Sequence, residues 1–317
     1  LAAIDRVVLT SPTVSLDFNY LLANLVNEKL LGFTVQTTGS AGTPSAEVSC
    51  ISGILNKSQD EKNYFIKTTS EGTDAVGNTN TNAGVIGVGN GFITAYSQEA
   101  SVGGFATASV TVEGLNMKFD TSTSGVELPA INPIDGKQIS SKTFALPYAI
   151  SSVGTDANAS GISALRPGDI TLTLPSTIGA TASGDNQFNI QSYTLSFDLA
   201  RTPIERLGSR FAFAREIDFP VTVNLSVDAQ VTDITSGSLA TLVDNDGSTS
   251  YNPVIKINKP GAAGENVVAR FSLKNAKLDS QEFISDIGSN KSVTLNFSSQ
   301  IGGPEDKVNG LFISGKI

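Results

Sequence analysis

The sequence predicts an all-β protein of two β-sandwich or barrel-like domains, with at most one or two short helices. Three observations predict it. Period-two alternation recurs along the chain, Gly- and Asn-rich turns separate the alternating runs, and the polar positions favour Ser, Thr, Asn and Gly. Charged residues are 16% of the 317, below the roughly 25% of an average soluble domain. Long solvent-facing helices would need that missing Glu, Lys and Arg. Hydrophobic residues, at 39%, suffice for a packed core, and the length suits two domains.

In chain order, residues 14–18 give the first alternating run. The one helical spacing follows: Leu21, Leu22, Leu25, Val26 and Leu30 share a face, and Gly32 is placed to end it. Asn19, Tyr20 and Val26 fit strands equally well. The run Gly84-Val85-Ile86-Gly87-Val88-Gly89-Asn90-Gly91 reads as a glycine-rich turn leading into a strand over residues 92–102. Further alternation marks residues 106–112 and 170–174. The clearest runs come later. Tyr193, Leu195, Phe197 and Leu199 alternate with polar residues, as do Val221, Val223, Leu225, Val227, Ala229 and Val231, so each strand has one wet and one buried face. Residues 267–273 and 293–297 complete the set, with turns at Asp244-Asn245-Asp246-Gly247 and Gly302-Gly303-Pro304.

The expected organisation is a domain over residues 1–120, a Ser/Gly/Pro/Asn-rich linker or excursion over 121–165, and a second domain over 166–317. The halves read as a candidate duplication. Ile93-Thr94-Ala95-Tyr96-Ser97 matches Ile190-Gln191-Ser192-Tyr193-Thr194. Val112-Glu113-Gly114 matches Val227-Asp228-Ala229, and residues 49–59 echo residues 271–281.

Chemistry is sparse. The chain has no histidine and one cysteine, Cys50, so it lacks the commonest general base, the commonest metal ligand and any internal disulfide. A lone cysteine fits a reducing cytoplasm. The glycine run lacks the Lys-Ser/Thr of a phosphate loop and the spacing of a dinucleotide fingerprint. Asp244 and Asp246 stand two apart before a Gly, as in cation loops, but Ile255 occupies the place of the bidentate Glu. Serine has no histidine to activate it, while a carboxylate dyad needs coordinates to test. The expectation is therefore no enzyme and no cofactor. No apolar run is long enough to span a membrane as a helix, and Leu1–Arg6 does not read as a secretory signal. The net charge of −9 and pI near 4.6 oppose adhesion to nucleic-acid phosphate. Plain solubility explains that charge too.

One connection stands apart. Residues 200–220 concentrate Arg201, Arg206, Arg210 and Arg215, the acids Glu205, Glu216 and Asp218, and Phe211, Phe213 and Phe219. Arg and aromatic residues are enriched where proteins meet. The candidate inter-subunit residues are Arg201, Glu205, Arg206, Arg210, Phe211, Phe213, Arg215 and Glu216. A solvated loop is the other reading, though it leaves the phenylalanines unexplained. On the assembly reading, alanine at Arg210 and Phe211 abolishes polymerisation and leaves unfolding nearly unchanged.

Residues 90–116, Asn-Gly-Phe-Ile-Thr-Ala-Tyr-Ser-Gln-Glu-Ala-Ser-Val-Gly-Gly-Phe-Ala-Thr-Ala-Ser-Val-Thr-Val-Glu-Gly-Leu-Asn, resemble the tail tube (major tail) proteins of bacteriophages. The resemblance lies in a strand, a short Ser-Val-Gly turn, and a strand ending in Glu-Gly-Leu-Asn. A patch from Leu165-Arg166-Pro167-Gly168-Asp169 to Val231 is similar to virion sequence of the same kind. The resemblance implies β-sandwich subunits closing into rings that stack into a tube for DNA delivery, with a long loop reaching the next ring. It implies a virion location after assembly in host cytoplasm. The implied partners are other copies, sheath, tape-measure or terminator proteins, and DNA in transit. Many tube subunits are smaller, so this length implies a fused, duplicated or decorating module. Long strands also have edges that must be paired, covered or closed, and a ring closes them. Two alternatives stay open: another virion β protein (capsid decoration or neck), and a bacterial surface or adhesin-like protein. The latter predicts an export signal and calcium-binding turns, neither of which the sequence displays.

Overall fold

Alternating sequence becomes alternating burial. The computed structural model describes residues 13–37, 49–55, 60–69, 71–72, 83–140, 143–146, 170–174, 188–209, 211–231, 249–258, 267–284 and 291–315. The first part of the chain forms β1 (Val14–Leu21), α1 (Val26–Leu31), β2 (Val35–Thr37), a 3-10 turn (Cys50–Gly53), β3 (Lys62–Thr69), β4 (Ala83–Ser101), β5 (Thr107–Gly114) and β6 (Asn116–Asp120). The middle adds β7 (Val126–Glu127), β8 (Thr143–Phe144), β9 (Ile170–Thr173), β10 (Phe188–Asp198), β11 (Arg201–Ile204) and β12 (Ala214–Ile217). The last part forms β13 (Val221–Val231), β14 (Val254–Asn258), β15 (Val267–Lys274), β16 (Lys277–Ile284), β17 (Ser292–Ile301) and β18 (Gly310–Gly315). The fold is all-β, with one α-helix among the described residues.

A nine-stranded sheet runs β1-β5-β4-β10-β13-β17-β16, with β3 and β6 attached to the first half of β4. Facing it is a five-stranded sheet, β2-β18-β15-β14-β9. Leu195, Phe197, Val223, Leu225, Leu295 and Phe297 from the first sheet share one core cluster with Ile255, Phe271, Leu273 and Ile313 from the second. Segments 1–120 and 166–317, expected as two sandwiches, thus contribute to one sheet through the β4–β10 pair and to one core.

The pairings reveal a repeat. β1 pairs β5, β3 and β6 pair the first half of β4, and β5 pairs its second half. In the same chain order β13 pairs β17, β14 and β18 pair β15, and β17 pairs β16. The two units, β1–β6 and β13–β18, match in register as well. Phe92 faces Glu113 and Lys277 faces Ser298. Each ladder then slips by one residue at the same step, between Ile93 and Ala95 in one unit and between Leu278 and Ser280 in the other. A bulge at one matched position in both units is a conserved device of the architecture rather than an accident of either strand.

Several expectations change. The match of residues 93–97 with 190–194 does not align the units: these segments lie in the neighbouring strands β4 and β10, both bulged at the matched step. Its continuation is out of step, because Ile93 faces Val112 whereas Ile190 faces Ala229. Over the described residues 49–55, the echo of 271–281 is not structural, since Cys50–Gly53 is a 3-10 turn and Phe271 lies inside β15. The glycine run is strand, not turn. Gly87 and Gly89 leave room for the segment laid across β4: a Cβ on Gly89 would collide with the Pro129 carbonyl. Asn90 then fixes that segment, donating to the Ile131 carbonyl and accepting from the Ile131 N–H. Part of the expected linker is therefore packed on β4. The helix starts at Val26, after Leu21 has gone to β1, and Leu30 is exposed. Gly32 does end it, in the left-handed conformation that favours glycine.

Candidate assembly surface

Residues 201–217 fold as a hairpin in which β11 and β12 pair antiparallel, Arg201 against Ile217 and Ile204 against Ala214. Its base is bolted to the first unit. The Arg201 guanidinium, almost fully buried, donates to both carboxylate oxygens of Asp60 at 2.6 and 2.8 Å and to the Ile93 carbonyl at 3.1 Å. Such bidentate pairing restores the hydrogen bonds that burial removes. Arg215 pairs with Glu113 at 3.0 Å, and both guanidinium groups lie over the Phe92 ring, 5.1 and 5.9 Å from its centroid. Asp60 and Glu61 flank β3, and Tyr64 beside them has its phenol pushed up to about 12 by burial and the Asp60 charge.

The eight expected interface residues therefore divide. Arg201 and Arg215 hold the hairpin to its own subunit. Phe211 is buried against Leu115 and Ile131, and its N–H donates to the Pro133 carbonyl. Alanine at Phe211 thus reports on folding, not on assembly alone. Glu205, Arg206 and Glu216 are exposed, and Arg206 lies over the half-exposed Phe213 ring at 5.3 Å. Arg210 lies outside the described residues, as does Asp244-Asp246. At the turn Leu207 is fully exposed, a residue that charge-and-aromatic reasoning passes over.

A cavity of about 460 Å³ runs beside β12, walled by Phe92, Phe213 and Phe219 and rimmed by Asp60 and Glu216. Its wall is mostly apolar, and Arg215 lines it as well, while the Asp60 carboxylate at its rim is already paired with Arg201. Among the described residues no group of three or more His, Cys, Asp or Glu stands placed to hold a metal ion. No helix among them is long and apolar enough to cross a membrane.

No protein-family model matches the chain, and no curated protein matches it. Among solved structures, a chain from the virion of a native gene transfer agent particle shares 12% identity over 47% of this chain and 97% of that one, with a TM-score of 0.30. A chain of the anti-feeding prophage baseplate shares 13% over 46% and 91%, with a TM-score of 0.31. A chain from the tail of an empty gene transfer agent particle shares 12% over 44% and 98%, with a TM-score of 0.29. Each likeness covers less than half of this chain.

Proposed function

We propose that this chain is a structural virion subunit that assembles with copies of itself into rings, stacked as a tail tube through which DNA passes. The observation that carries the reading is the large sheet itself. Among the described residues it ends on two strands without outer partners, β1 and β16, each eight residues long. Such edges are templates for another chain, and a closed ring is one arrangement that removes them. The hairpin β11–β12 supports the stacking half of the proposal. It is braced at its base by two ion pairs and presents Leu207, Arg206 and Phe213 at its far end. The acidic composition suits a passage that DNA crosses without adhering. Other tail proteins, such as sheath, tape-measure or terminator proteins, are the further partners that this role implies. Negative-stain microscopy of the concentrated protein tests it: rings or tubes with a central hole are expected, and a strictly monomeric particle overturns it.

A further inference from the structure

The two units treat one equivalent face in opposite ways. In the second unit the cross-strand row Ile255–Phe271–Ile313, with Leu311 beside it, is 2% exposed or less and lies in the main core. Register places Ile66–Ile86–Phe119 and Met117 at the same positions of the first unit. There Phe119 is 66% exposed and Met117 46%, and Ile66 is exposed beside them. The opposite face of these strands is already covered, since Pro129 packs against Gly87 and Gly89. The first unit thus keeps an apolar row whose counterpart is core.

We propose that this row, Ile66, Ile86, Met117 and Phe119, is a docking surface for a second copy of this chain. The proposal deepens the self-assembly reading above and rests on it. The repeat shows what this face takes within the fold: apolar side chains of its own kind, from strands such as β13 and β17. A second copy carries exposed apolar groups to supply them, among them Phe283 and Ile284 at the end of β16 and Leu207 at the hairpin turn. Leaving a Phe and a Met in water costs free energy that docking recovers.

Met117 is the only methionine in the sequence, so the wild-type protein carries its own probe. Peroxide converts an accessible methionine to its sulfoxide. The rate at Met117, read by mass spectrometry, is expected to fall at least about fivefold between dilute monomer and assembled protein, as the docked copy covers the thioether. A second arm uses Met117→Ser/Phe119→Ser. Both side chains are exposed, so thermal unfolding should stay as in wild type while self-association weakens at least about tenfold, as for central apolar contacts. Equal oxidation rates in both states, or a folded variant that assembles like wild type, overturn the inference. If rings form in that case, the tube reading stands without it. Oligomers that protect Met117 but never close into rings support the docking surface and overturn the tube. A chain that stays monomeric at all concentrations overturns both.

Discussion

Asn90 and Asn275 hold the same backbone conformation, φ 53°, at matched positions of the two units, and they are the only non-glycine residues with positive φ among those described. Each marks the step where the chain changes strand partners: from β3 and β6 on the first half of β4 to β5 on its second half, and from β14 and β18 on β15 to β17 on β16. Asparagine tolerates this left-handed region better than other non-glycine residues. Their surroundings differ. Asn90 is buried and bonds to Glu61 and to both backbone groups of Ile131, whereas Asn275 is exposed and bonds to Asn309. Asn90→Ala should therefore cost roughly 2–4 kcal/mol, adding orphaned buried partners to backbone strain. Asn275→Ala should cost about 1–2 kcal/mol, chiefly strain, and Asn275→Gly close to nothing. Urea unfolding measures all three.

The two ion pairs at the hairpin base should differ by several-fold in worth. Arg201→Ala strands the part-buried Asp60 carboxylate and should destabilise by about 3–5 kcal/mol. Arg215→Ala faces a half-exposed Glu113 and should cost about 1 kcal/mol or less. In a double-mutant cycle, Arg201→Ala with Asp60→Ala should cost less than the sum of the single changes. An additive result would show that the pair adds nothing to stability.

Glu28 introduces a pH dependence. It is fully buried on α1, its Oε1 accepts hydrogen bonds from Tyr20 at 2.8 Å and Tyr96 at 3.2 Å, and burial pushes its carboxyl above the usual carboxylate range. A raised folded pKa means that the native state binds the proton more tightly than the unfolded chain. The stabilisation is complete below the unfolded value, near 4.5, and is lost as pH rises through the raised folded one. Glu28→Gln removes this titration. The variant should gain on wild type as pH rises out of the acid range, and the gap should close on acidification. Denaturation curves across that range check it; a constant gap at every pH counts against the assignment.

Leu207 offers the cleanest test of the hairpin. It touches little of its own subunit, so Leu207→Ser should leave the unfolding midpoint within a degree or two. If the hairpin end contacts another copy, sedimentation should show weaker assembly. Phe211→Ala, by contrast, should lower stability by about 3–5 kcal/mol, because it empties a buried site against Leu115 and Ile131.

The sequence by itself determined the class of the fold and the strands with the clearest alternation. Val221–Val231 is legible to the residue because strict alternation is a local property of a half-buried strand. Gly32 is legible as a helix end because its cap conformation is local too. The hairpin at residues 201–217 showed itself by composition, but not which of its residues were free. Arg201 meets Asp60 across 141 positions of chain, and no local pattern encodes such a partner. The same limit hid the repeat. Its evidence is register, two matched bulges and two asparagines at φ 53°, while the residues filling the equivalent rows differ in size and exposure. Only tertiary structure decided that residues 84–91 are strand, because the reason for Gly87 and Gly89 is the Pro129 segment packed across them, and Gly91 lies against the Tyr64 ring. Only tertiary structure, likewise, left Phe119 in water and buried its counterpart Ile313: burial depends on what packs against a face, and that is fixed after the strands have paired.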